Sequence, residues 1–155
     1  MKKLLVIPLL LMLCSAYAQR DSVAALINPA GLHVPKGYSH IAKIDMGNSW
    51  MLIISGQVAL DSSGMLVGKD NLALQTEQVF KNIQTAVMQC GGSMDHIVKL
   101  NYFMLDVAQV QIVRDIRNTF INVQQPPAST LVQVSKLFRE DILIEVEATA
   151  VVPKK

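Results

Sequence analysis

Two glutamates, Glu145 and Glu147, stand in the otherwise apolar run Ile144-Glu145-Val146-Glu147-Ala148-Thr149-Ala150. Side chains of a β-strand alternate between faces, so both carboxylates point to the same side. Placing two acids in such a strand costs solvation unless they meet water, a donor or a subunit boundary. Partial burial would raise a carboxyl pKa and suit it to move protons near neutrality. The alternative is an edge where both acids face solvent, or a boundary where they pair with Lys or Arg.

Other segments offer weaker chemistry. Ser55-Gly56-Gln57 lies inside a strand, where glycine permits close approach of a ligand or marks a bulge. Ser129-Thr130 follows a proline pair and presents hydroxyl and amide donors at a strand start, which turn chemistry explains equally well. His33, His40 and His96 have no metal-ligand spacing with one another or with Cys90, so no metal site is expected. Nucleophile elbows, phosphate-binding glycine loops and dinucleotide fingerprints are missing from the sequence. Cys90 falls on the apolar stripe of a helix and reads as a core residue. His40 reads as a hydrogen-bonded structural residue, and the single Trp50 as an anchor of a hairpin.

The elements that position these residues follow from periodicity. Strands are expected over 39–46 and 50–60, joined by the turn Gly47-Asn48-Ser49. A helix is expected from a cap at Asp70 or Asn71 to about Cys90, with Leu72, Val79, Phe80, Ile83 and Val87 on one face. Gly91-Gly92 stops it. A strand over 97–105 precedes a second helix capped by Asp106, with Val110, Val113, Ile116 and Phe120 as its stripe. Strands over 129–137 and 142–152 complete the chain.

The resulting order, ββαβαββ, predicts an α+β domain: one sheet with two helices on one face. The opposite face then lacks a cover although the last two strands carry apolar residues on both sides. An uncovered apolar face is an association surface, so a closed homo-oligomer is expected.

The amino terminus reads as an export signal. Lys2 and Lys3 precede an apolar run from Leu4 to Cys14, and Ala16-Tyr17-Ala18 has the small-x-small pattern of a cleavage site. The run is shorter than the about 20 apolar residues that a permanent membrane span requires. Residues 1–18 are therefore expected to be removed, leaving residues 19–155 as one domain acting in the periplasm or outside the cell. Without Lys2 and Lys3 the basic side chains equal the 12 acidic ones in number. A neutral domain is a poor polyanion binder, so nucleic acid is not an expected partner. Cys90 alone remains after cleavage, and no internal disulfide can form.

Taken together, several segments resemble the RidA (YjgF/YER057c) family of reactive-intermediate deaminases. They are Gly37-Tyr38-Ser39-His40, Ser55-Gly56-Gln57, Gln75-Thr76, Asn82, Gly91-Gly92, Pro127-Ala128 and Ile144-Glu145-Val146-Glu147-Ala148, in family order. The resemblance implies a chorismate-mutase-like fold, a homotrimer with ligand clefts between subunits, and hydrolysis of imines and enamines without a cofactor. By position it implies that Glu145 orients or activates the attacking water. It likewise implies that Tyr38, Ser55 and the stretch Ser129, Thr130 and Leu131 contact a small-molecule ligand.

One position departs from the pattern. Where the deaminase type carries an arginine that grips a substrate carboxylate, this chain has Ser129. A neutral hydroxyl replaces a charged bidentate fork, which predicts poor use of amino-acid-derived imines unless Arg114, Arg117 or Arg139 supplies the missing cation. Two functions follow as expectations: a cofactor-independent hydrolase of a non-standard C=N substrate, or a non-catalytic ligand-binding trimer of the same fold. The ribonuclease or translation-inhibitor role described for some family members fits poorly with a neutral, exported domain.

Overall fold

A computed structural model describes residues 24–155. The expected export signal lies outside the described residues. Three strands come first, β1 (Ala24–Ile27), β2 (Ile41–Asp45) and β3 (Ser49–Gln57), followed by helix α1 (Leu72–Gln89). Strand β4 (Ile97–Met104), helix α2 (Val110–Arg117), and strands β5 (Ala128–Gln133) and β6 (Ile144–Pro153) complete the order. Short 3-10 turns at Met94–His96 and Val107–Gln109 lead into β4 and α2.

All the strands join one mixed sheet in the order β1-β2-β3-β6-β4-β5. Only β4 and β5 run parallel, and α2 lies in the crossover between them. The expected ββαβαββ order holds with one addition, β1. Its four residues pair along β2 at the sheet edge, too short a run to separate from loop by alternation. The strand expected over 50–60 ends at Gln57, where the pairing with β6 shifts register. The last strand starts at Ile144 rather than Ile142.

Helix boundaries follow from capping. The Asn71 side chain accepts a hydrogen bond from the Leu74 N–H at 3.0 Å. At the other end Gly91 adopts a positive φ, and the N–H groups of Gly91 and Gly92 reach the carbonyls of Met88 and Val87. This closes the helix as a Schellman motif. The Asp106 carboxylate accepts from Ala108 N–H, as expected of a cap, but α2 is only eight residues long.

The core lies between α1 and one face of the sheet. Leu52, Ile54, Leu100, Met104, Ile144, Val146, Ala148 and Ala150 meet Val79, Phe80, Ile83 and Val87 there, all buried. Three polar residues of α1 are buried with them, and two of these, Gln75 and Asn82, fasten loops to the helix. Gln75 donates to the Asp141 carbonyl and accepts from the Leu143 N–H, both at 2.8 Å. Asn82 donates to the carbonyls of Val58 and Leu60, and the Thr76 hydroxyl donates to the Leu72 carbonyl. These bonds hold the segments on either side of the sheet end that carries Ser55, Gly56 and Glu145.

The other sheet face has no covering element among the described residues. Ile53, Val132 and Val151 are exposed on it, beside the half-buried Glu145, Glu147, Thr149 and Phe103.

Candidate functional site

Strand β6 separates its side chains by parity. Ile144, Val146, Ala148 and Ala150 enter the core, while Glu145 and Glu147 share the open face, as the alternation requires. Across the sheet Glu147 stands opposite Asn101 and Glu145 opposite Phe103. Asn101 donates to a Glu147 carboxylate oxygen at 3.2 Å. Glu145 accepts no hydrogen bond from any described residue.

The Glu145 carboxylate instead lies across the backbone of β3. A Cβ built on Gly56 would come within 1.8 Å of Glu145 Oε1 and 2.7 Å of its carboxyl carbon. Any side chain at position 56 would displace the acid. The register shift between Ile54 and Gln57 falls at the same place. The bulge expected at Gly56 is therefore present, and the group that approaches its backbone closely is a carboxylate of the same chain.

Burial raises the Glu145 pKa above the ordinary carboxylate range, and the like charge of Glu147 raises it further. The acid opens onto a cavity of about 750 Å³ lined also by His33, Lys36, Tyr38, Ser55, Phe138 and Arg139. Tyr38 has its phenol pKa raised by burial and then by Glu145. Its hydroxyl lies 2.8 Å from His33 Nε2. Burial, followed by the nearby His40, lowers the His33 pKa and favours a neutral ring. Ser55 donates its hydroxyl proton to the Ser39 carbonyl at 2.7 Å, which leaves oxygen lone pairs for a ligand.

His40 is fully buried and bonded all round, as expected of a structural histidine. Its Nε2 lies 2.8 Å from the His33 carbonyl, its backbone N–H donates to Asn28 Oδ1, and its Nδ1 meets Gln57 Nε2 at 3.3 Å. It fixes the 33–38 loop over the cavity mouth. Arg139 reaches the cavity but forks onto both Asp141 carboxylate oxygens, with one bond of 2.9 Å.

The remaining expected site residues lie elsewhere. Ser129 pairs with Leu100 and Leu131 with Tyr102, so both point to the helix side of the sheet. They line a second cavity, of about 270 Å³, with Tyr102, Val110, Val113, Arg114 and Arg117. Thr130 points the opposite way, and Lys99 donates to its hydroxyl at 2.6 Å. Within one chain, then, Glu145, Tyr38 and Ser55 come together, whereas Ser129, Thr130 and Leu131 do not join them.

Sequence reasoning missed His33, Lys36 and Phe138 as cavity residues. All three sit in irregular segments, where periodicity says nothing about direction; His33, five residues before Tyr38, offered only its residue type. Among the described residues no group of three or more His, Cys, Asp or Glu is arranged to hold a metal ion. No helix among them is long and apolar enough to cross a membrane.

A single mixed sheet backed by two helices is a fold that known sequences and structures share. A protein-family profile described as Endoribonuclease L-PSP matches residues 31–152. Protein DfrA of Myxococcus xanthus is 30% identical over 74% of this chain and 84% of its own length. The RutC family protein BU371 of Buchnera aphidicola is 32% identical over 73% of this chain and 85% of its own. Among solved structures, YyfA of Yersinia pestis, described as a member of the conserved Rid protein family, superposes with a TM-score of 0.74 at 30% identity, covering 83% of this chain and 99% of that one. The YjgF gene product of E. coli gives 0.70 at 28% identity, covering 82% and 98%. The chain belongs to the Endoribonuclease L-PSP family, which is the RidA/YjgF family.

Proposed function

We propose that this protein is a cofactor-independent hydrolase of small imines or enamines, with Glu145 as its proton-handling group. The observation that carries this reading is the state of Glu145. It is half-buried, unpaired, raised in pKa, and held over Gly56 at the wall of a cavity that Tyr38 and Ser55 share. A group with these properties accepts a proton from water and returns it within one catalytic cycle.

The chemistry balances without a metal or redox partner. Glu145 takes a proton from water as the oxygen adds to the C=N carbon and passes that proton to the imine nitrogen, giving a neutral carbinolamine. Glu145 then takes the carbinolamine hydroxyl proton and delivers it to the amino nitrogen, so that the C–N bond breaks as the C=O bond forms and ammonia departs. A carbonyl compound remains and the carboxylate is restored. The Tyr38 hydroxyl, polarised by neutral His33, is placed to hold the substrate or the departing nitrogen.

In this reading the working unit is a homotrimer, supported by the exposed Ile53, Val132 and Val151 on the uncovered face. The β5 edge of one copy, with Ser129, Thr130 and Leu131, would complete the Glu145 cavity of the next. The lysine-led apolar amino terminus supports removal of residues 1–18 and a site of action in the periplasm or beyond. A non-catalytic ligand-binding trimer is the competing reading, favoured by the neutral Ser129 hydroxyl and by the use of Arg139 on Asp141.

Ammonia release from a panel of imines with and without carboxylates decides between them, using wild type and Glu145→Gln. Turnover that collapses in the variant supports the hydrolase. Full activity in Glu145→Gln, or none in wild type with any substrate, removes it. Sedimentation equilibrium reports the trimer separately.

A further inference from the structure

Three aromatic rings meet beside the Glu145 cavity. The His33 and Tyr38 rings both stand nearly edge-on to buried His40, at centroid separations of 4.8 and 5.3 Å. His40 is itself tied to Asn28, the His33 carbonyl and Gln57, so the cluster is fixed. His33 and Tyr38 both line the cavity. The contact between the Tyr38 hydroxyl and His33 Nε2 is the only hydrogen bond that either side chain makes among the described residues.

That bond can run in either direction, and the other ring nitrogen decides which. His33 Nδ1 is buried and has no partner among the described residues. Burial, then the neighbouring His40, lowers the pKa of the ring and keeps it neutral, so one nitrogen carries a proton and the other a lone pair. With the proton on Nδ1, a buried N–H would be left without an acceptor, which native structures almost never hold. With the proton on Nε2, the unmet group is a lone pair, and unmet acceptors are less rare. The Nε2 proton then points at the Tyr38 oxygen, and the phenolic proton is left over for the cavity.

We infer that His33 is a positioning residue that fixes Tyr38 as a hydrogen-bond donor to the ligand, so that the site selects neutral molecules presenting a lone pair. The inference deepens the hydrolase reading, and rests on it only in taking that lone pair to be an imine nitrogen's. A neutral imine offers one in the plane of its C=N group, whereas an iminium or ammonium cation has none. As water adds at carbon, the π electrons become a second pair on nitrogen, and that pair takes the proton that Glu145 carries. The Tyr38 bond gives way when the nitrogen takes its second proton and leaves.

Long-range proton–nitrogen NMR of the imidazole rings at neutral pH reads the tautomer directly, with the His33 signals assigned by their loss in His33→Gln. A protonated Nε2 and a bare Nδ1 are expected; a protonated Nδ1 overturns the inference. Ligand selection is read by titrating the protein with pyridine, whose nitrogen only accepts, and with pyrrole, whose N–H only donates. Tyr38→Phe should weaken pyridine by about threefold to tenfold and leave pyrrole within about twofold. His33→Leu, which keeps the backbone carbonyl held by His40, should weaken pyridine by a similar factor. His33→Gln, whose amide N–H can still donate, should recover part of that loss. Should His33→Leu not fold, the wild-type tautomer and the Tyr38→Phe titrations still decide. Losses equal for the two probes, or below about twofold for pyridine, would mean that the pair only supports the loop, and would overturn the inference. An Nε2–H ring with Tyr38-dependent pyridine binding but no imine turnover keeps the inference while the hydrolase reading falls. Imine turnover by a protein with an Nδ1–H ring does the reverse.

Discussion

The two faces of β6 are built from one run of residues and share one backbone, yet their surroundings differ completely. On the core side, Ile144, Val146 and Ala150 are fully buried against α1 and neighbouring strands. On the open side, Glu145 and Glu147 keep part of their water and repel one another. The core face is satisfied by packing alone, whereas the open face is left electrostatically unsettled. A strand can therefore fasten a reactive group rigidly through alternate residues without exposing the core to its charge. The contrast assigns stability to even positions and chemistry to odd ones.

Glu145→Gln should break the contrast most sharply. Imine hydrolysis should fall by about 10²–10⁴, the usual worth of a positioned acid-base group. Urea unfolding at neutral pH should show equal or higher stability, because burial and Glu147 both disfavour the charge that is removed. The sign follows from linkage. A carboxyl whose folded pKa is raised contributes stability below its unfolded pKa, and that contribution is lost as pH rises through the folded pKa. The wild type should therefore lose stability over that pH interval relative to the variant.

Its neighbour should behave in the opposite way. Ile144→Ala removes a fully buried side chain and should cost about 2–5 kcal/mol in denaturant unfolding. The activity of the folded fraction should change little. If instead activity vanished at full stability, the division by parity would be wrong.

Gly56→Ala sharpens the comparison from the facing strand. The new methyl group would occupy the space of the Glu145 carboxylate, and a displacement of about 1 Å costs roughly 10² in rate. A kinetic loss larger than the accompanying stability loss would place the effect on the acid. An unchanged rate would mean that the position of Glu145 over Gly56 is irrelevant to turnover.

The smallest effect concerns Glu147. Activity that needs the Glu145 carboxylate should fall as pH drops through its raised pKa. Glu147→Gln removes the second cause of that rise, so the acidic limb of kcat/KM should move to lower pH. A limb that stays in place would mean that Asn101 and solvent already screen Glu147.

Much of this arrangement was legible in the residues. The spacing of Glu145 and Glu147 was enough to put them on one face, and Asn71, Gly91 and Gly92 were enough to bound α1. The apolar residues left over on the last strands pointed to an uncovered sheet face, which Ile53, Val132 and Val151 display. The 129–131 segment was harder. A resemblance by position grouped it with Glu145, but alternation turns Ser129 and Leu131 toward the helices and Thr130 away from them. Loop residues were hardest, because a loop has no period from which to infer direction. The His33 ring meets the Tyr38 hydroxyl while buried His40 holds the His33 carbonyl.

The sequence by itself determined the order of every element except β1, the capped ends of α1 and the shared face of the two glutamates. These depend on interactions within a few residues along the chain, which residue type and spacing specify. The tertiary structure alone decided that Glu145 lies over Gly56 and that Arg139 is taken by Asp141 beside the same cavity. It alone placed Arg114 and Arg117 beside Tyr102. Those juxtapositions join distant segments through sheet register and helix packing, and no local pattern encodes which side chain fills a given gap.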